Sequence, residues 1–245
     1  MKKKLSALAL SSILLITLTS CGNTANTSTE GDSESSASVS SSVIVDESAQ
    51  QEVPEVQEDQ NEEPEEEVSI PEPVVYTGTG DDVVQITPPD GKYVFKITGN
   101  QEERHFSVKA YDSFAEYIDL LVNTTSQYSG VTYDPTQSTA MLEVSATGDW
   151  TIELVSIYTM DALISGNSIS GEGDAVLQVF APVLTADIQG NDASAHFSVK
   201  SYDMDGGYLD LLVNTTDPYS GTVMMGLDVS TLVISAEGPW TITAG

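Results

Sequence analysis

Residues able to do acid–base or nucleophilic chemistry occur twice in this chain at one spacing. His105, Ser107, Lys109 and Tyr111 share one face of an alternating strand whose other face is Phe106, Val108 and Ala110. On the next strand Tyr117, Asp119, Leu121 and Asn123 share a face. If Asp112–Glu116 closes a five-residue hairpin loop, Tyr111 faces Tyr117, Lys109 faces Asp119 and His105 faces Asn123. The second set repeats each pair: Tyr202 with Tyr208, Lys200 with Asp210, His196 with Asn214. One account is an ion pair beside an aromatic pair, worth a few tenths to about 1 kcal/mol each. The other is a polar and aromatic binding face. The sequence leaves both open.

Ser107, His105 and Asp119 are the residue types of a hydrolase triad, but the spacing is wrong for one. Ser107 and His105 lie side by side on one strand, about 7 Å apart, with no small-residue elbow and no oxyanion nest. With 2 histidines in the chain, one per copy, no His-rich zinc set forms within a domain. The expectation is therefore no enzyme. Calcium is the one candidate cation, through Asp203 and Asp205 in Asp203-Met204-Asp205-Gly206-Gly207. That loop is too short to match an EF-hand, and copy one has Asp112-Ser113-Phe114-Ala115-Glu116 there. Asp81 and Asp174 recur in Gly-x-Gly-Asp turns, where an aspartate is also what a turn wants.

The elements that carry these residues are duplicated. Gly99 to Gly130 aligns without gaps to Gly190 to Gly221, with 20 of 32 positions identical. Two copies of one domain follow, 74–165 and 166–245, each large enough for a modest core. Short runs of Val, Ile, Thr, Tyr and Phe between Gly, Asp, Asn and Ser read as strands. In copy one they fall near Val83–Ile86, Tyr93–Thr98, His105–Ala110, Tyr117–Val122, Ala140–Ser145 and Trp150–Val155. The fold expected is all-β: two tandem small antiparallel β-sandwiches behind a disordered acidic linker. Met160 to Ser170 is short and apolar, so the sandwiches should touch. Trp150 and Trp240 read as core anchors, and Asn123-Thr124-Thr125 with Asn214-Thr215-Thr216 as turns.

Charge narrows the partners. Lys and Arg total 8 against 38 Asp and Glu, a formal charge of −30. Such a chain repels nucleic acid and anionic headgroups. From Gly22 to Pro73 it is Ser/Thr-rich, then Glu/Pro-rich, with almost no aromatics, which reads as a disordered tether. As a neutral coil it would average about 40 Å, and fully extended about 170 Å.

The start of the chain gives an address. Met1-Lys2-Lys3-Lys4 is basic, Leu5 to Leu18 is mostly apolar and too short for a comfortable span, and Leu18-Thr19-Ser20 precedes Cys21, the only cysteine. This is a signal-peptide layout, and Leu18-Thr19-Ser20-Cys21 closely resembles the lipobox of bacterial lipoproteins. The resemblance implies that residues 1–21 form the signal, with Cys21 lipidated as the mature N-terminus. It also implies export and anchoring to the membrane, facing outward. The repeats look like sandwich repeats of secreted and lipid-anchored bacterial proteins with no established activity, and are faintly similar in fold type to pre-peptidase C-terminal domains, which are non-catalytic. Tethering plus duplication then suggests a binding or adhesion module for an extracellular glycan, wall polymer or protein. An envelope spacer or assembly part is the alternative.

Overall fold

The computed structural model describes residues 69–180, 182–192 and 195–245. Cys21, the signal segment and all but the last few residues of the expected tether lie outside them. The described chain is all-β, as the alternation requires, with one short 3₁₀ turn at Ile157–Thr159.

The first repeat holds eight strands: β1 (Val74–Thr79), β2 (Asp82–Gln85), β3 (Tyr93–Gly99), β4 (Phe106–Tyr111), β5 (Tyr117–Thr124), β6 (Tyr128–Thr132), β7 (Met141–Ser145) and β8 (Asp149–Ser156). They form two four-stranded antiparallel sheets, β1-β8-β3-β6 and β2-β7-β4-β5. The six strands expected from the sequence are present within a residue or two. Two more, β1 and β6, lie beyond that expectation. Their Gly78 and Gly130 read as turn residues, yet each makes room for an aromatic side chain. A Cβ at Gly78 would run into the Trp150 ring, and one at Gly130 would lie 2.7 Å from the Tyr128 hydroxyl.

The second repeat follows with β9 (Ala162–Leu163), β10 (Ser168–Glu172), β11 (Ala175–Val179), β12 (Thr185–Gly190), β13 (Phe197–Tyr202), β14 (Tyr208–Thr215), β15 (Tyr219–Met224), β16 (Thr231–Ser235) and β17 (Pro239–Ala244). Its sheets are β10-β17-β12-β15 and β14-β13-β16-β11-β9. β9 pairs in parallel with β11, so the change of sandwich falls before Ala162 and not at residue 165. The apolar link is short enough to be used as an edge strand.

Each sandwich has its own core. Phe106, Val108, Leu142, Ile152 and Trp150 lie between the first pair of sheets, and Phe197, Val199, Leu232, Ile242 and Trp240 between the second. Burying side chains of this size stabilises by about 1.5–3 kcal/mol each relative to exposure. The tryptophans anchor these cores, 2% and 4% exposed, and each indole N–H donates to a turn carbonyl, Gly80 at 3.0 Å and Gly173 at 2.9 Å. A third apolar cluster joins the copies. Val94, Tyr133, Val155 and Ile157 of the first meet Val176 of the second, with Val131 and Val233 packed against them.

Candidate binding surfaces

The tyrosine pairs form as the alternation requires. Tyr111 and Tyr117 meet edge to face with ring centres 6.0 Å apart, and Tyr202 and Tyr208 at 5.8 Å. The hairpin loops beneath them also match. Asp112 Oδ1 accepts from the N–H of Phe114 and Glu116, and Asp203 Oδ1 from those of Asp205 and Gly207.

The ion pairs expected between these strands do not form, because the register slips twice. Bulges between Val108 and Lys109 and between Ala110 and Tyr111 place Lys109 opposite Leu120, Ala110 opposite Asp119 and Ser107 opposite Asn123. Copy two slips identically, so Lys200 faces Leu211 and Asp210 faces Ser201. Asp119 and Asp210 turn to the backbone instead, where each Oδ1 accepts the N–H of the following leucine at 2.8 Å. Bulges together with a carboxylate on the backbone blunt an edge strand against unwanted pairing.

Lys109 crosses to the other neighbouring strand, where its Nζ lies 2.6 Å from Glu143 Oε1, and the Tyr111 hydroxyl donates to Glu143 Oε2 at 3.0 Å. Glu143 is held below the usual carboxylate range by its hydrogen bond from Lys109, then by that from Tyr111. Lys109 is raised above the ordinary lysine value by the same contact. In copy two the strand opposite Lys200 offers Val233 in place of Glu143, and Val233 belongs to the inter-repeat cluster. His105 is exposed; His196 is exposed too, and its Nε2 lies 3.2 Å from Asn214 Oδ1. Ser107 is buried, which removes it as an accessible nucleophile.

The two faces are thus not equivalent. In copy one the face with His105, Lys109, Tyr111 and Tyr117 is half-exposed or open, and Val83 on it is 59% exposed. In copy two the matching Val176 is 3% exposed, and Tyr202 packs on Tyr133 of the first repeat at 6.0 Å. In copy two the side of the face formed by Val176, Val233 and Tyr202 has become part of the junction, while His196, Lys200 and Tyr208 stay exposed. The free outward surfaces have diverged to suit water: Glu143 stands where copy two has Val233, and Thr185 and Thr222 stand where copy one has Val94 and Val131.

The remaining expectations resolve locally. Asp203, expected as a calcium ligand, caps its own loop as Asp112 does, and its neighbour Asp205 is exposed. Among the described residues no group of three or more His, Cys, Asp or Glu side chains converges. Asp81 Oδ1 accepts from Ala146 N at 2.9 Å, and Asp174 Oδ1 from Ala236 N at 2.9 Å, so both tie the same turn. Thr124 and Thr215 accept from N–H groups two residues on, a Thr-type turn. Asp134 gave no signal in the sequence beyond a Pro beside it. It is fully buried and accepts from the backbone of Thr136, Ser138 and Thr139 and from the Thr136 and Thr139 hydroxyls.

Between the sandwiches opens a cleft of ≈ 730 Å³. One wall is Leu120–Thr124 of β5 with Ser126–Ser129; the other is Glu172–Asp174, His196 and Ser235–Glu237. Tyr128 donates its hydroxyl to Asp174 Oδ2 at 2.7 Å, joining the walls. Burial first, and then the Asp174 carboxylate, push the Tyr128 phenol far up, so it stays a donor. Beside it Val131 N donates to Asp174 O at 2.9 Å.

No protein-family model matches the chain, and no curated protein matches it. Among solved structures it is similar to the regulatory subunit of a cAMP-independent protein kinase A from Trypanosoma cruzi bound to guanosine, at 8% identity and a TM-score of 0.22, over 70% of this chain and 72% of that one. The Trypanosoma brucei counterpart gives 8% and 0.21, over 70% and 74%. Likeness at this level carries no argument about fold or function.

Proposed function

We propose that the chain is an exported, lipid-anchored and non-catalytic binding module. Cys21 holds it to the membrane, residues 22–73 tether it, and the paired sandwiches meet an extracellular glycan, wall polymer or protein. The observation that carries the reading is the cleft of ≈ 730 Å³ whose walls come from both repeats. Its size lies in the range of ligand clefts, and it exists only because the copies are joined. The two faces no longer form equal sites, since the Val176 and Tyr202 side of one packs into the junction. The cleft lined by both repeats is the composite site of this reading.

The test has two arms. Metabolic labelling of the full chain with an alkyne fatty acid in a bacterial host should mark it, and Cys21→Ser should abolish the label. The purified full chain, immobilised, is then probed with glycans and wall fragments beside a Glu172→Lys/Glu237→Lys variant. Saturable binding lost in that variant supports the cleft; binding that the variant retains moves the site elsewhere. The spacer reading is favoured by a different observation, the apolar junction of Val94, Val155, Tyr133 and Val176, which stiffens the pair. Absence of ligand binding together with intact anchoring would favour it.

A further inference from the structure

The cleft's first wall is the edge of a sheet. In the order β2-β7-β4-β5, strand β5 has a partner on one side only. An edge strand presents unpaired N–H and C=O groups along its free side. The bulges and the Asp119 carboxylate disrupt its first half, but Val122, Asn123 and Thr124 pair regularly with Val108, Ser107 and Phe106. That regular half lines the cleft, with the bulged Leu120 and Leu121 beside it. At about 3.4 Å per residue, Val122–Thr124 offers a regular edge roughly 10 Å long.

The opposite wall chooses among occupants. Glu172 and Glu237 are exposed there, and no Lys or Arg lines the cleft. Its one tyrosine, Tyr128, is half-buried, packs on Phe106 and has its hydroxyl committed to Asp174, which leaves little of that ring for stacking on a sugar. Open backbone on one side and carboxylates on the other suit a strand carrying positive side chains. The matching edge of repeat two, β14, has no third sandwich opposite it among the described residues.

We propose that an extended, Lys- or Arg-bearing segment of a partner polypeptide adds to the free edge of β5 inside this cleft, with its cations against Glu172 and Glu237. The proposal rests on the cleft being the binding site, as argued under Proposed function. Backbone hydrogen bonds supply the affinity, so sequence preference beyond charge is loose.

The test is fluorescence anisotropy of the full chain with a labelled peptide of four Lys-Thr repeats. Its partners are a Glu-Thr analogue and a Lys-Thr analogue with alternate backbone amides N-methylated. The Lys-Thr peptide should bind, the Glu-Thr peptide should not, and N-methylation should weaken binding by about tenfold or more through lost backbone bonds. Glu172→Gln/Glu237→Gln should weaken it severalfold, whereas Glu72→Gln/Asp90→Asn, away from the cleft, should leave it unchanged. Equal binding of the N-methylated peptide would overturn strand addition and leave only attraction to an acidic surface. If glycans or wall fragments bind at the cleft while no peptide does, the strand proposal fails and the cleft reading stands. If nothing binds in either experiment, both fail.

Discussion

Tyr133 of the first sandwich and Tyr202 of the second meet edge to face, 6.0 Å between ring centres with planes 80° apart. Tyr202 is at the same time the partner of Tyr208. The aromatic pair that both copies share therefore gains a third ring in copy two, and that ring joins the domains. Burial, then the Asp134 carboxylate, push the Tyr133 phenol up to about 12, so it stays neutral at the junction. Tyr133→Ala should cost about 3–5 kcal/mol, the loss usual for a buried aromatic. Calorimetry should then resolve two transitions where the parent shows one; a single unshifted transition would show the sandwiches are not coupled there.

The tyrosine hydroxyls of the two copies differ in the same way. Tyr128 donates to Asp174 across the cleft, and Tyr128→Phe should destabilise by about 1.5–3 kcal/mol, as for a hydrogen bond to a charged group. At Tyr219, its counterpart, the ring packs on Phe197 within the second core. Tyr219→Phe should cost less than half as much in urea melts. Equal losses would mean that the cross-cleft bond contributes nothing of its own.

The Lys109–Glu143 contact predicts a titration. Glu143 is depressed by its bonds, so its contribution is present above the ordinary carboxylate value and is lost as pH falls through the lowered one. Lys109 is raised, so its contribution is present below the ordinary lysine value and is lost as pH rises through the raised one. The pair is exposed and its effect on stability small. Carbon-detected NMR should place the Glu143 midpoint below that of an ordinary glutamate, and Lys109→Met should return it most of the way.

The fourth loop residue has positive φ in both hairpins, +62° at Ala115 and +86° at Gly206. An alanine is strained there, so Ala115→Gly should raise stability by about 0.5–1 kcal/mol in denaturant melts. The reverse change is forbidden in copy two, where a Cβ on Gly206 would run into the Pro135 carbonyl oxygen of the first repeat. Gly206→Ala should therefore destabilise by more than Ala115→Gly stabilises, and should loosen the junction.

Asp203 binds its own loop, so Asp203→Ala should cost about 1 kcal/mol, as a lost cap does. Melting temperatures of parent and variant should be the same in excess calcium and in chelator. A calcium-dependent rise in the parent alone would restore a cation to this loop.

Much of the fold was legible because side-chain alternation and glycine punctuation are local. Phe106, Val108 and Ala110 had to share a face, and Trp150 had to find a core. The strand ending just after Gly78 and the one holding Gly130 are hidden in the sequence. Gly78 accommodates a ring that comes from far along the chain, and Gly130 one from two residues before it. The pairing of Lys109 failed for a related reason. A bulge leaves no mark on the pattern of residues, yet it moves every later partner by one.

The all-β class, the duplication and the tyrosine pairs follow from the order of residues, and the lipobox resemblance of Leu18–Cys21 adds the expectation of an anchor. Composition, spacing and repetition carry them, and these need no knowledge of distant neighbours. Packing between the repeats was needed to give two faces of nearly identical sequence different fates. In copy one, Glu143 and open solvent meet Lys109 and Tyr111; in copy two, Val233 and Tyr202 are packed against the first sandwich. Burial depends on what lies opposite, and a repeat does not encode which of its copies will have a neighbour. The cleft between the sandwiches has the same origin, since neither repeat contains it alone.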